Sequence, residues 1–388
     1  MRIFVLGAGA TGSMLAHLLV RQGHAVSCGD RDPERARRFL GAKSSIPLQQ
    51  VNARNLWAIV KAARGSHLIV NASVPVFNEI ILRAALRLRA HYLDMASHLT
   101  RHPFKAEQLR YHQRFEHKRR AAVINAGVAP GLTNLLVARS AELLDAVEAA
   151  HVRLYEHSVS DDPISQWSAE VSFDAATSRP PIYRNGRFHL AKRFSEREVF
   201  RFPPPIGEAG VVLAAQDEVG TLPHFIPMRE LDVKLGGNEI DRLRRWHRQG
   251  KLSKSRGMAA KHFPQTPTPR QVARLTRRGM LQNARFAMVI LVRGVKHEHP
   301  RLIRWDVGFP TLHQIRRRGM HVTPIAWATA QVAALFVKHF PREESGVLPP
   351  EALPSPTRQA ILADARARQI HITMTAKALP RLDADEEL

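Results

Sequence analysis

The 388-residue chain contains one cysteine, Cys28, so no disulfide can form within it. That suits a reducing compartment. It also has no long apolar run. The best candidate, Thr323 to Val337, falls short of the roughly 18–20 residues that cross a bilayer. No membrane association is expected. The first apolar strand begins at residue 2, so no signal peptide is expected and a cytoplasmic protein is. Aromatic residues make up only 6 % of the chain, and the most basic stretch, Asp241 to Arg256, holds a single Trp among its cations. A base-stacking platform needs aromatics between its cations, and this stretch has none of that interleaving. It fits no zinc-finger, homeodomain or RNA-recognition pattern either. Acids are scarce, 34 against 58 Lys and Arg, which leaves a net charge of +24. A polyanion partner is one reading of that charge. The cations are spread over the whole chain, however, as on the surface of an enzyme with anionic ligands. Loose association with polyanions at low salt is expected, and specific nucleic-acid binding is not. No metal site is expected: His297-Glu-His299 lacks the i,i+4 helical spacing that zinc requires. Cys28 lies within an apolar strand and is not expected to act as a nucleophile.

What is present begins at the N-terminus. An apolar strand, Ile3 to Leu6, runs into Gly7-Ala-Gly-Ala-Thr-Gly12 and then into Ser13 to Val20, which is apolar at helical spacing. Gly7, Gly9 and Gly12 fit G-x-G-x-x-G in its required setting between strand and helix. The first glycine permits the tight turn, the second admits a pyrophosphate, and the third lets helix and strand pack closely. The helix N-terminus then offers unpaired N–H groups and a positive dipole end. A second strand, Ala25 to Cys28, ends at Asp30, 18 residues beyond Gly12. A carboxylate there accepts the ribose hydroxyls and repels a 2′-phosphate, which favours NAD. Arg31 works the other way, since it can stack on adenine or pair with a 2′-phosphate. NADP therefore stays open.

Residues 1–125 alternate strand and helix, the pattern of a mostly parallel, doubly wound sheet. Strands are expected at 2–6, 24–28, 67–72, 91–95 and 121–125, with helices at 12–22, 33–40, 52–63, 78–89 and 105–119. The segment Asn71-Ala-Ser-Val74 follows a buried strand and should pass beside the dinucleotide. Asp94 occupies the same position one unit later, because ligands sit at the carboxyl ends of such strands. The texture changes from about residue 150. A long alternating strand starts near His151, proline clusters follow at 179–181 and 202–205, and 286–295 with 301–307 form a hairpin. This is the pattern of a second, α+β domain. The expected layout is a Rossmann domain over 1–130 and an α+β domain over 131–320 with a basic helical insertion at 238–284. A C-terminal part, 321–388, begins at a Thr323-Pro324 helix start and ends in an acidic tail.

One further stretch carries information. In Ala122 to Leu136 a strand leads into Gly127-Val-Ala-Pro-Gly131 and then a helix. Such a rigid loop with free N–H donors can abut a nicotinamide ring or hold a substrate carboxylate. It serves equally well as an ordinary crossover between domains.

The chain resembles the saccharopine dehydrogenase family, with its saccharopine reductase, lysine 6-dehydrogenase and carboxynorspermidine synthase members. The resemblance rests on Gly7-Ala-Gly-Ala-Thr-Gly12, Val70-Asn-Ala-Ser-Val-Pro75 and His91-Tyr-Leu-Asp-Met-Ala96. It continues in Gly127-Val-Ala-Pro-Gly-Leu-Thr-Asn134, Pro203-Pro-Pro-Ile-Gly207, Thr221-Leu-Pro223 and Gly346-Val-Leu-Pro-Pro-Glu351. It implies a Rossmann domain joined to an α+β substrate domain, with the last segment returning to the first domain. It also implies NAD(P)-dependent hydride transfer between nicotinamide and an amine or imine carbon of an amino acid or secondary-amine conjugate, in a homodimer.

On that resemblance the cofactor contacts are Gly7, Gly9, Ala10, Thr11, Gly12, Asp30, Arg31, Asn71, Ala72, Ser73 and Val74. Gly127, Val128, Ala129 and Pro130 lie at the nicotinamide end. Asp94 is the catalytic candidate, as base or as holder of an ammonium group. Asn134, Trp167, Ser168 and Arg229 are the substrate candidates. Tyr155, His157 and His224 are more readily structural. The chain departs from many relatives where they carry a His-Ser-Glu-Pro-like run before Thr-Leu-Pro. Here the run is Gln216-Asp217-Glu218-Val219, which adds a carboxylate and removes a histidine. Two other functions stay open: an imine reductase that condenses an amine with a keto acid or aldehyde, and a non-catalytic nucleotide-sensing or nucleic-acid-binding protein.

Overall fold

The computed structural model describes residues 1–98, 101–252 and 262–380. Two sheets organise them. The first is built from β1 (Arg2–Leu6), β2 (Ala25–Asp30), β3 (Leu48–Gln50), β4 (Leu68–Asn71), β5 (His91–Asp94) and β6 (Ala121–Val123). A late strand, Gly346–Leu348, completes it and is β15 in chain order. The spatial order is β15-β6-β5-β4-β1-β2-β3, and every pairing is parallel. Ile3, Phe4, Val5 and Leu6 are all buried, as continuous apolar runs must be in a sheet covered on both faces.

The connecting helices are α1 (Ala10–Arg21), α2 (Pro33–Leu40), α3 (Leu56–Ala62), α4 (Asn78–Leu88) and α5 (His112–His117). They start where local chemistry directs. Asp32 caps α2 by accepting from Arg35 N, with Pro33 in the first turn. Asn55 caps α3 by accepting from Trp57 N and Ala58 N. Strand order reverses between β1 and β4, so the switch point lies at the carboxyl end of β1, where the glycine loop sits.

The second sheet follows α6 (Leu132–Leu143). Its strands are β7 (Ala146–Ser160), β8 (Pro181–Arg184), β9 (Arg187–Leu190), β10 (Glu198–Arg201), β11 (Glu208–Leu213), β12 (Glu230–Gly236), β13 (Leu281–Lys296), β14 (His299–Gly308) and β16 (His371–Ala378). The order is β10-β11-β12-β7-β13-β14-β16, with the β8–β9 hairpin beside β12. The expected hairpin at 286–295 and 301–307 is the β13–β14 pair, closed by a tight turn at His297 and Glu298, both at positive φ. Around it lie α7 (Ala169–Thr177), α8 (Leu222–Phe225), α9 (Asn238–Arg248), α10 (Pro269–Arg277) and α11 (Leu312–Arg317). The basic stretch beyond Leu252 as far as Lys261, and the acidic tail from Arg381, lie outside the described residues.

The C-terminal part divides between the two sheets. Helix α12 (Pro324–Lys338) is apolar almost all round and packs on α1. β15 joins the first sheet, α13 (Ser355–Ala367) follows, and β16 pairs antiparallel with β14 on the second sheet. The helix does begin at Thr323-Pro324, but Thr323 does not cap it. Its hydroxyl donates 2.7 Å to the carbonyl of Gln166. Pro324 has no N–H, so one of the helix's unsatisfied donors is missing from the outset.

Candidate active site

The glycine loop forms the floor. Gly7 has φ +99°, and a Cβ there would lie 2.6 Å from the Ala72 carbonyl and Ser73 nitrogen. A Cβ on Gly12 would lie 1.9 Å from the Gly7 carbonyl oxygen. Gly9 is different, since nothing stands within 4 Å of its Cβ position. The first turn of α1 has no side-chain cap. Gly9 therefore opens onto free space at a helix N-terminus whose N–H groups are unclaimed, the cradle a pyrophosphate needs. Ala10 and Thr11 form the first turn beside it.

Asp30 serves the same loop. Its Oδ2 accepts 2.7 Å from Ala8 N and its Oδ1 accepts 3.0 Å from Asp32 N. A carboxylate has about four acceptor positions, so capacity for ribose hydroxyls remains. Arg31 beside it is exposed. Asn71 shapes the neighbouring loop: its Oδ1 accepts 2.9 Å from Ser73 N and 2.6 Å from Ser73 Oγ, and its Nδ2 donates 2.8 Å to Asn78. Ala72 and Ser73 are thereby held against Gly7, with Val74 leading away into α4. Gly127, Val128, Ala129 and Pro130 form a compact loop closed by bridges from Gly127 and Val128 to Gly131. Burial across this loop is nearly complete.

The residues expected to face substrate are placed differently from one another. Asp94 is 1 % exposed, and both of its oxygens are hydrogen-bonded within the chain. Oδ1 accepts 2.8 Å from Asn125 N, and Oδ2 accepts 2.9 Å from Tyr92 Oη and 3.0 Å from Gln108 Nε2. Burial still outweighs these three donors and pushes its carboxyl up to about 7. Asn134 is fully buried. It accepts 3.0 Å from Gly131 N and donates 3.0 Å to Glu351 and 3.2 Å to Thr221. Trp167 lines a small cavity of about 20 Å³ together with Ser172, Arg193 and Gln216. Its indole N–H is buried and faces the buried Glu156 carboxyl. Ser168 next to it caps α7, accepting from Val171 N and donating 2.9 Å to Glu170. Arg229 is exposed at the foot of β12, where its backbone bonds to Glu148 and Gly186. Its guanidinium has no bond to a described residue.

Sequence reasoning missed most of the seam between the sheets. Glu218 accepts 2.8 Å from Thr133, and burial pushes its carboxyl up to about 7, as it does for Glu351. Glu107 accepts 2.7 Å from Asn78 and bonds to His98 N. Glu351 lies in a segment that carried the family resemblance and Glu218 in the run that departs from it, so their positions were visible but their burial was not. Glu107 and Gln108 sit in an ordinary-looking helical stretch that gave no signal. Among the described residues no group of three or more His, Cys, Asp or Glu side chains is arranged to hold a metal. No described helix is long and apolar enough to cross a membrane.

The parallel sheet, its switch point and the glycine loop are those of a dinucleotide-binding fold. Residues 3–128 match the family model described as the saccharopine dehydrogenase NADP binding domain. The fold is similar to that of saccharopine dehydrogenase (L-Glu forming) from Saccharomyces cerevisiae. The TM-score is 0.71 at 10 % identity, over 97 % of this chain and 100 % of that one. A looser likeness links it to the DAP dehydrogenase of C. glutamicum, with a TM-score of 0.46 at 12 % identity over 95 % of this chain and 98 % of that one.

Proposed function

We propose that the protein transfers hydride between a nicotinamide dinucleotide and the amine or imine carbon of an amino acid or a secondary-amine conjugate. The observation that carries this is the open Gly9 cradle at the carboxyl end of β1, in the same parallel sheet as β6, which leads into the 127–131 loop. Beside that loop the segment 217–221 of the second sheet's part bonds to α6, Glu218 to Thr133 and Thr221 to Asn134. The dinucleotide, when bound, accepts or supplies the hydride. The chain's residues bind, orient and exclude water, and positioning of this kind accounts for much of such catalysis.

Gly9 and the first turn of α1 hold the pyrophosphate, and Asp30 takes the adenosine ribose. The 127–131 loop backs the nicotinamide. Asp94 acts as a positioning residue in this reading, because Asn125, Tyr92 and Gln108 occupy its oxygens. It fixes the backbone two residues before Gly127. Asn134 and Ser168 likewise hold the frame, and Trp167 is the remaining substrate-side candidate. Arg229 takes no part. The preference for NAD drawn from Asp30 stays part of the proposal, and the family's description as an NADP binding domain weighs against it. The test is fluorescence titration with NADH and NADPH, followed by dinucleotide-coupled assays of lysine, saccharopine and diamines in both directions. Turnover of an amine or its imine supports the reading. Dinucleotide binding with turnover only of alcohols or 2-hydroxy acids would sink it.

A further inference from the structure

The function proposed above gives no part to Asp217, the carboxylate that the sequence adds where many relatives carry serine. The structure places it at the carboxyl end of β5, where its Oδ2 accepts 2.9 Å from Ser97 N. The residue is 6 % exposed, and its Oδ1 is buried without a hydrogen-bond partner. Nearby, Ser97 Oγ donates 2.8 Å to Asn125 Oδ1, and the Asn125 Nδ2 donor is also buried and unpartnered. After the Ser97 N–H, the groups that act on Asp217 are carboxyls: Glu218, Glu107 and Asp94. Lys105, on the segment that packs against Gly220, is exposed.

Burying a charged carboxylate with no cation beside it is unfavourable. Burial accordingly raises the Asp217 carboxyl well above its usual range. A carboxyl oxygen in that condition calls for a donor that brings positive charge. The position suits a reacting group, because strands β4 to β6 lie on the nicotinamide side of the switch point. Asn125 stands two residues before the 127–131 loop.

We propose that Asp217 Oδ1 receives the ammonium group of the substrate and takes one of its protons. This rests on the amine oxidoreductase reading. The ammonium ion and the Asp217 carboxylate become a neutral amine and a carboxyl group. The nitrogen lone pair then forms the C=N bond as the adjacent C–H hydride leaves with its two electrons to the nicotinamide. In the reverse direction the carboxyl returns the proton to nitrogen. The incoming positive charge stabilises the ionised carboxylate, so that it can accept the proton.

The test compares wild type with Asp217→Asn and Asp217→Ser. NADH and NADPH titrations and melting temperature are measured first. Calorimetric titration of the dinucleotide-loaded protein with lysine, saccharopine and 1,3-diaminopropane follows, and then amine oxidation across about pH 6–10. Asp217→Asn keeps an acceptor for Ser97 N, so dinucleotide affinity and melting temperature should stay at wild-type values. Amine affinity should fall about tenfold or more, as expected for a lost hydrogen bond to a charged group. The second-order rate should fall about 100-fold or more, and the acid limb of its pH profile should vanish. An Asn variant with wild-type amine affinity and an intact acid limb overturns the proposal. Wild-type protein that binds a dinucleotide but none of the three amines overturns it too, while leaving the dinucleotide site standing. Failure to bind either dinucleotide overturns the function on which it rests.

Discussion

Asn134 and Glu351, 217 residues apart in sequence, meet at 3.0 Å inside the protein. The same amide holds Gly131 N and Thr221 Oγ1, so one side chain fastens the 127–131 loop, the segment around Thr221 and the returning C-terminal segment. Asn134→Ala strands the Gly131 donor and the Glu351 acceptor. Each unsatisfied buried group costs about 1–3 kcal/mol. The urea midpoint should fall accordingly, and a surface control such as Arg248→Ala should leave it in place.

The glycine loop separates binding from folding. Gly9→Asp meets nothing in the folded chain, so its melting temperature should stay near wild type. It places a carboxylate in the pyrophosphate cradle, so the nicotinamide fluorescence signal on titration should disappear. Gly12→Ala does the opposite kind of damage, because its Cβ falls 1.9 Å from a backbone oxygen. That variant should lose stability first, seen as a lower melting temperature without any dinucleotide present.

Cofactor choice turns on two adjacent side chains. Asp30 is engaged with Ala8 N and Asp32 N, whereas Arg31 is exposed. Arg31→Ala should therefore leave NADH affinity unchanged and weaken NADPH by about tenfold, the size of one lost charge-assisted contact. Equal weakening of both dinucleotides would place Arg31 on the adenine rather than on a 2′-phosphate.

Stability should depend on pH through the seam. Asp94, Glu218 and Glu351 each have a carboxyl raised to about 7 by burial. A raised folded pKa means the folded protein binds protons more tightly than the unfolded chain. The stabilisation is complete below the unfolded pKa of about 4 and is lost as pH rises through about 7. For Asp94, raised from 3.8 to about 7, the full loss is about 4 kcal/mol. Urea midpoints measured from about pH 4.5 to 8 should fall with pH. In Glu218→Gln and Glu351→Gln that fall should be shallower, and an unchanged slope in both would contradict the burial argument.

Residues 1–125 were legible because nearly every strand there is a continuous apolar run bounded by turn chemistry. All five strands expected in residues 1–125 are present, and α2 has the expected limits. β3 was missed because Leu48-Gln-Gln50 is three residues with two exposed glutamines. β16 was missed because only Ile372 of its eight residues is buried, which leaves no alternation to read. The glycine loop was legible in the same way as the strands, since its chemistry is local. Asp94 was placed correctly on the sheet, but its partners Tyr92, Gln108 and Asn125 come from its own strand and two other segments. No sequence pattern reports that these would use up its oxygens. Arg229 was one choice among many arginines, and the chain's high positive charge offered no way to choose between them.

β15 carries a consequence for how the chain is made. Gly346, Val347 and Leu348 pair with Ala121, Ala122 and Val123, so the outer strand of the first sheet is synthesised more than two hundred residues after its neighbour. While the ribosome works through the second domain, β6 waits with one edge bare, and bare edges recruit other strands. A nascent chain halted before residue 346 is thus a ready partner for its copies. The final stretch of translation removes that hazard by covering β6 with the chain's own strand.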